Sequence, residues 1–185
     1  MINYMSIFER RKSFMFPEQI YFYTHSISNF RTLLGADDLK RVIVQSLAIL
    51  AQNNLFIVYG FVIMPNHVHF IWKPLSTERK ERPGNSFTKF TAHRFKEYLL
   101  KNDTKFLESF YVGKSDRQFQ FWQRDPLSIP LTSERALIQK LNYIHLNPIR
   151  DKWKLADLPE KYFWSSAKFY EKAVDEFGFI THFRE

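Results

Sequence analysis

The chain has 185 residues, a formal net charge of +8 and no cysteine. The lack of cysteine excludes disulfide scaffolds and thiolate zinc sites, and it is expected of a protein in a reducing compartment. A chain of this length is typical of one domain with its own core, and the basic balance favours a polyanionic partner, nucleic acid before a membrane surface.

The first residues, MINYMSIFERRKSFMFPEQ, carry charges where a signal peptide needs an apolar core. No apolar run in the chain approaches the roughly 20 residues that a membrane-spanning helix needs. We therefore expect a soluble, cytoplasmic protein with no membrane partner.

The first half of the chain predicts a strand, a helix and a hairpin. Residues 19–30, QIYFYTHSISNF, are rich in β-formers. A helix is predicted over 35–54, with Asp37 or Asp38 as its cap, because apolar residues recur there at helical spacing. Residues 55–64 and 67–73 predict two further strands, joined at Pro65-Asn66 as a hairpin or as one bent strand.

The second half predicts two main helices and one strand. Residues 85–102 form a helix with an apolar stripe of aromatic residues, and residues 119–125 form a strand. Thr132-Ser133-Glu134 caps a helix that runs to about Asn147, and a final helix is predicted within 164–173. The order β, α, β, β, α, β, α indicates an α+β fold of ferredoxin-like kind, an antiparallel sheet with helices packed on one face.

The segment MPNHVHFIW places two histidines on one side of a predicted strand. Side chains alternate across a strand, so His67 and His69 face one way and lie about 7 Å apart at their β-carbons. Two such rings can lean together and share one ion, and two histidines in an apolar strand are costly to bury without a partner. The alternative is a half-exposed pair whose partners are water or backbone carbonyls.

The segment LIQKLNYIHLNP carries a tyrosine on a predicted amphipathic helix. Leu137, Ile138, Leu141 and Ile144 form the predicted core face, and Tyr143 lies roughly 160° from Leu141. Tyr143 is therefore expected on the polar face, where it is available for chemistry, although a plain surface tyrosine fits the pattern as well. Its predicted neighbours on that surface are Gln139, Lys140 and Asn147.

Together, MPNHVHFIW, NYIHLNPIRDKW and PEKYFWSSAKFY resemble the IS200-like single-tyrosine (Y1) transposases of the HUH group, and in particular the REP-associated branch. The FWQRD stretch is similar as well, and the resemblance covers residues 18–170. The order His-x-His, Tyr-x-x-x-Asn-Pro and Trp-Ser-Ser is its most specific feature. One departure is IRDKWKL after the Asn-Pro, where the family usually has a small, glycine-containing segment.

The resemblance implies a ferredoxin/RRM-like sheet and a role for each motif residue. His67, His69 and Asn147 would hold a divalent metal, Mg²⁺ or Mn²⁺, and Tyr143 would be the nucleophile that forms a 5′-phosphotyrosine bond with DNA. A phenol is a poor nucleophile at neutral pH, so a neighbouring cation such as Lys140 is expected to assist. The expected domain division is an extension at 1–17, the catalytic domain at 18–150 and a tail at 151–185 packed on the same domain.

The expected partner, also implied by the resemblance, is single-stranded DNA that contains a hairpin. Relatives work as monomers or as dimers, so both states stay open for this chain. Basic residues around the predicted site are candidate phosphate contacts, with a solvated surface as the alternative. They are Arg79, Lys80, Arg82, Lys89, His93, Lys96, Arg150, Lys152 and Lys154.

Two other functions fit parts of the pattern. A non-catalytic single-stranded nucleic-acid-binding module derived from such an enzyme would share the fold and the charge, but it has no need of His67, His69 and Asn147. A metal-dependent hydrolase of a small phosphate ester is disfavoured by the charge of +8 and by the lack of a glycine-rich phosphate loop.

Overall fold

The fold is built on one four-stranded antiparallel sheet. The computed structural model describes residues 15–75 and 83–185. The sheet contains β1 (Tyr21–Ser26), β2 (Phe56–Met64), β3 (His67–Pro74) and, after two short strands described below, β6 (Leu127–Pro130). The strand order is β2-β3-β1-β6, so β3 and β1 are the two central strands. The expected α+β class with an antiparallel sheet is confirmed.

The hairpin predicted around Pro65-Asn66 is present. Met64 of β2 pairs with His67 of β3, so the connection is a tight two-residue turn. The predicted strand at 19–30 is shorter than expected, because the chain leaves β1 in a 3₁₀ turn at Ser28–Phe30. In that turn Asn29 and Phe30 both have positive φ, which a continuing strand does not allow.

Two helices cover the first face of the sheet. They are α1 (Asp37–Gln52) and α2 (Pro83–Asn102), and Phe87 of α2 packs edge-on against Phe70 of β3. Both helices were predicted, but the predicted cap of α1 is wrong. The N-cap is Ala36, which has no polar side chain and makes no capping bond. The Asp37 carboxylate instead accepts hydrogen bonds from Lys40 and from the indole of Trp164.

A third helix, α4 (Glu134–Leu146), lies on the opposite face. The short helix α3 (Thr104–Glu108) precedes it in the chain. Ser133 caps α4 as predicted, since its side chain accepts from the Ala136 amide. Leu141 and Ile144 are buried against the sheet, whereas Ile138 is exposed, contrary to the prediction. The sheet is thus covered on both faces. The expected arrangement had helices on one face only, so it did not include α4 on the second face.

The segment between α3 and α4 differs most from expectation. Residues 119–125 were predicted as a strand, but only Phe119 belongs to a regular strand, and the rest of the segment forms an isolated bridge between Trp122 and Ile27. The regular strands nearby are the small hairpin β4 (Tyr111–Lys114) and β5 (Arg117–Phe119), followed by the edge strand β6. Phe121 and Trp122 are buried, which explains the strand-like apolar pattern in the sequence.

The Trp-Ser-Ser segment extends the sheet beyond β2. The amide of Ile63 donates to the Trp164 carbonyl, and the amide of Ser166 donates to the Phe61 carbonyl. The Ser166 hydroxyl also contacts His145 Nε2 at 2.8 Å, so one serine ties β2 to α4. The predicted helix within 164–173 is α5 (Ala167–Lys172), which begins after this segment. Among the described residues no helix is long and apolar enough to span a bilayer.

Gly60 allows α4 to approach β2 closely. A β-carbon at this position would lie 2.7 Å from Leu141 Cδ2 and 3.3 Å from Ile144 Cδ1. We expect Gly60→Ala to lower the free energy of unfolding by about 1 to 3 kcal/mol, as overpacking of a core does. Urea unfolding measures this loss. The matched control is Gly35→Ala, where nothing lies within 4 Å of the added carbon; equal losses in the two variants would contradict the packing argument.

Candidate active site

The two histidines of the His-x-His motif lie on one face of β3, toward α4. His67 pairs across the sheet with Ser26, and His69 pairs with Thr24. Their ring centroids are 4.7 Å apart in an edge-on arrangement. His69 is 4% exposed, so its ring is almost fully shielded from bulk water.

Each histidine uses its Nδ1 atom for a hydrogen bond. His69 Nδ1 lies 2.7 Å from Thr24 Oγ1, and His67 Nδ1 lies 2.6 Å from Asn66 Oδ1. His69 Nε2 is buried and has no hydrogen-bond partner among the described residues. A buried nitrogen without a partner is costly, and an imidazole Nε2 lone pair is a common metal ligand.

Burial keeps both rings neutral at physiological pH. Burial, together with the weaker effect of the positive charge of Lys152, lowers the pKa of His67 to about 4. Burial, and to a lesser extent the charges of His67, Lys140 and Arg150, lower the pKa of His69 to about 3. Neutral imidazole is the form that binds a metal ion, so these surroundings suit a ligand pair.

A further buried histidine, His25, makes the fold sensitive to acid. Burial lowers its pKa to about 4, from an ordinary value of 6.5 that the unfolded chain keeps. The unfolded state therefore binds more protons below pH 6.5, and stability is lost as the pH falls from 6.5 toward 4. We expect His25 to account for about 2 kcal/mol of lost stability between pH 6.5 and 5. Urea unfolding at both pH values should show a shallower dependence in His25→Phe; an unchanged dependence would contradict this assignment.

Tyr143 lies against the histidines and not on a solvated face of α4. Its ring centroid is 5.4 Å from that of His69 and 5.9 Å from that of Phe22, and the side chain is half-buried. The predicted exposure was wrong because α4 presents a broad sector to the sheet. Tyr143 lies at one edge of that sector, and Leu141 lies at the other.

Two cations flank the Tyr143 ring. Lys140 Nζ is 5.5 Å from the ring centroid of Tyr143 and 4.6 Å from that of Phe22. Arg150, just past the helix, places its guanidinium carbon 4.7 Å from the Tyr143 centroid. Positive charge is thus concentrated beside the Tyr143 ring, where it favours the binding of an anionic phosphate.

Asn147 follows Tyr143 by one turn and is buried. It is 4% exposed, and its Nδ2 atom has no hydrogen-bond partner within the described ranges. Those ranges contain no cluster of three or more His, Cys, Asp or Glu side chains suited to a metal. A metal here would therefore depend on the two imidazoles and a neutral oxygen such as an Asn147 amide oxygen, and the unpartnered His69 Nε2 fits such an ion.

Comparisons with known proteins found similarity to solved structures only. No family model matches the chain, and no curated protein matches it significantly. A solved structure of a REP-associated tyrosine transposase bound to a REP hairpin aligns with a TM-score of 0.62. The alignment covers 89% of this chain and 86% of that chain at 16% identity. The chain has the fold of a REP-associated tyrosine transposase.

A second solved structure aligns less well with the chain. It is a candidate transposase from Deinococcus radiodurans R1, 16% identical, and the alignment covers 72% of this chain and 92% of that chain. Its TM-score is 0.44, which is too low to indicate a shared fold.

The transposase fold brings some of the predicted basic residues to the site and places others elsewhere. Arg150 and Lys152 lie near Tyr143 and His67, whereas Lys154 makes a long ion pair with Asp151. The predicted helix face lies on α2, across the sheet from the histidines. Its residues are Lys89, His93, which pairs with Glu97, and Lys96, which lies over Phe119. Arg79, Lys80 and Arg82 lie outside the described residues.

Sequence reasoning missed three neighbours of the site. Phe22 stacks on His69 at 5.3 Å, Thr24 contacts the same ring, and Asn66 contacts His67. Alternation along β1 puts Phe22 and Thr24 on one face, a signal that was available in the sequence, but their pairing with β3 is set by the register. Asn66 was assigned only to the turn, although its position directly before His67 was a signal for contact.

Proposed function

We propose that the protein is a metal-dependent single-stranded DNA endonuclease and strand transferase of the single-tyrosine HUH type. The observation that carries the proposal is the Tyr143 ring, which lies 5.4 Å from His69, whose Nε2 is buried and unpartnered. A tyrosine beside a neutral histidine pair and two cations suits attack on a phosphodiester better than it suits simple binding.

A divalent metal fits the donor set. His67, His69 and Asn147 would hold it, and it would supply Lewis-acid stabilisation of the charge on the non-bridging phosphate oxygens. Mg²⁺ prefers oxygen ligands, while Mn²⁺ tolerates imidazole nitrogen better. We therefore propose tighter binding of Mn²⁺ than of Mg²⁺ at this site.

We propose the following reaction steps at Tyr143. The phenol gives its proton to water, and Tyr143 Oη forms a bond to the phosphorus atom of the scissile phosphate. The bond from phosphorus to the 3′-oxygen breaks, and that oxygen takes up a proton to give a free 3′-hydroxyl. Lys140 and Arg150 hold the phosphate and stabilise negative charge next to the ring. Attack by a 3′-hydroxyl on the 5′-phosphotyrosine bond reverses these changes and joins the strands without ATP.

The proposed substrate is single-stranded DNA beside an imperfect hairpin. The transposase with the shared fold was solved with a REP hairpin, which is the precedent for this choice. Arg150, Lys152 and Lys154 follow the Tyr143 helix closely and are suited to phosphate contacts. Contacts of that kind position the strand and make affinity depend on salt.

The experiment uses end-labelled single-stranded DNA copied from both flanks of the gene. The purified full chain is incubated with this DNA and Mn²⁺, and the products are separated on a denaturing gel. A label that migrates with the protein, and disappears with EDTA, supports the proposal. A shift under native conditions that EDTA leaves intact, with no covalent band, would instead assign a non-catalytic nucleic-acid-binding module.

A further inference from the structure

The side-chain amide of Asn66 makes two hydrogen bonds, one as a donor and one as an acceptor. Its Nδ2 atom donates to the Phe30 carbonyl at 3.1 Å, and its Oδ1 atom lies 2.6 Å from His67 Nδ1. A backbone carbonyl only accepts, so the amide nitrogen must face Phe30. The amide oxygen must then face His67, and this contact is a hydrogen bond only if His67 Nδ1 carries the proton.

We infer that Asn66 is a positioning residue that fixes His67 as its Nδ1–H tautomer and leaves the His67 Nε2 lone pair free for a divalent cation. The inference rests on the proposed function for its purpose, but the tautomer is a property of the metal-free protein. Partners on the far nitrogen commonly fix the tautomer of a ligating histidine and orient its ring.

Thr24 does not give His69 the same constraint. A hydroxyl both donates and accepts, so the 2.7 Å contact between Thr24 Oγ1 and His69 Nδ1 is compatible with either tautomer. The two histidines of the site therefore differ in how strongly their tautomers are constrained. The histidine next to the hairpin turn is fixed by an amide, and the deeper histidine is held by an adaptable hydroxyl.

One other histidine is fixed in the opposite tautomer and serves as an internal reference. His25 Nε2 lies 2.8 Å from the Gln123 carbonyl, which only accepts, so His25 carries its proton on Nε2. His145 Nε2 contacts the Ser166 hydroxyl, which can donate or accept, so this contact leaves the tautomer of His145 open. His67 should therefore differ from His25.

The first test is a long-range ¹⁵N–¹H correlation spectrum of the histidine rings in the metal-free full chain at neutral pH. This spectrum distinguishes a protonated ring nitrogen from one that carries a lone pair. We expect His67 to carry its proton on Nδ1, while His25 carries its proton on Nε2. A His67 ring protonated on Nε2, or a mixture of both forms, would overturn the inference.

The second test separates positioning from support of the turn. Asn66→Ala removes both hydrogen bonds of the amide. Asn66→Asp keeps an acceptor for His67 Nδ1 but loses the donor to Phe30. We expect Asn66→Ala to give mixed His67 tautomers and to weaken Mn²⁺ binding about 10- to 100-fold in calorimetry. Asn66→Asp should keep the Nδ1–H form and a Mn²⁺ affinity close to that of the unchanged protein. Equal losses in the two variants would assign Asn66 to the turn alone and overturn the inference.

The failure of this inference and the failure of the proposed function have different signatures. If the expected tautomers and the Mn²⁺ affinities of the variants are found but no covalent DNA product forms, the role of Asn66 stands and the enzymatic proposal fails. If the covalent product forms while His67 is protonated on Nε2, the enzymatic proposal stands and the role assigned to Asn66 is wrong.

Discussion

Replacing Tyr143 by Phe should abolish the covalent protein–DNA product, with a loss on the order of 10³-fold or more, because the variant has no oxygen to bond to phosphorus. The ring contacts with Phe22 and His69 need only the aromatic ring, so the variant keeps the packing of the site. The measurement is the denaturing gel with end-labelled single-stranded DNA and Mn²⁺, quantified over time.

Three readouts distinguish loss of the nucleophile from loss of the fold. The free energy of unfolding should stay within about 0.5 kcal/mol of the unchanged protein, and DNA affinity on a native gel should be retained. Tyr111→Phe is the matched control, since it removes the same hydroxyl from an exposed position on the β4–β5 hairpin. Persistence of the covalent band in Tyr143→Phe would exclude Tyr143 as the nucleophile.

Periodicity was sufficient to predict the elements that have long, regular patterns. The α1 pattern and the Pro65-Asn66 punctuation located a helix and a hairpin within a few residues of their observed ends. Residues 119–125 failed because Phe121 and Trp122 are buried by aromatic packing in irregular backbone. A buried but irregular segment has the same apolar sequence pattern as a strand. The strand β6 has no buried residue, so its sequence carries little apolar pattern to detect.

The candidate site was only partly predictable for a related reason. Alternation in β3 correctly placed His67 and His69 on one face. The helical wheel of α4 gave the angular position of Tyr143 but not the width of the sector that the sheet would cover. The width of that sector depends on how closely α4 approaches β2, and Gly60 permits the close approach. This distance is set by tertiary packing and not by the sequence of α4. The second bond of Asn66, to Phe30, likewise depends on a turn distant in sequence.

His69→Phe should remove Mn²⁺ binding and the covalent product together. Phenylalanine preserves the ring that packs between Phe22 and Tyr143, but it has no nitrogen to bind a metal. We expect Mn²⁺ affinity to fall on the order of 100-fold or more, since only His67 and Asn147 would remain. Calorimetric titration of the metal-free chain measures the affinity, and the DNA gel measures the activity.

The matched control for this variant is His25→Phe, which removes a buried imidazole from the opposite face of the sheet. His25 stacks on Trp122, as His69 stacks on Phe22, so the two substitutions disturb aromatic packing in comparable ways. Mn²⁺ at about 100 times its dissociation constant should stabilise the unchanged protein and His25→Phe by about 2.7 kcal/mol. The same Mn²⁺ concentration should leave the unfolding free energy of His69→Phe nearly unchanged. Equal stabilisation of both variants by Mn²⁺ would show that the metal binds elsewhere. The ion would then not lie beside Tyr143, and the proposed chemistry of Tyr143 would lose its metal.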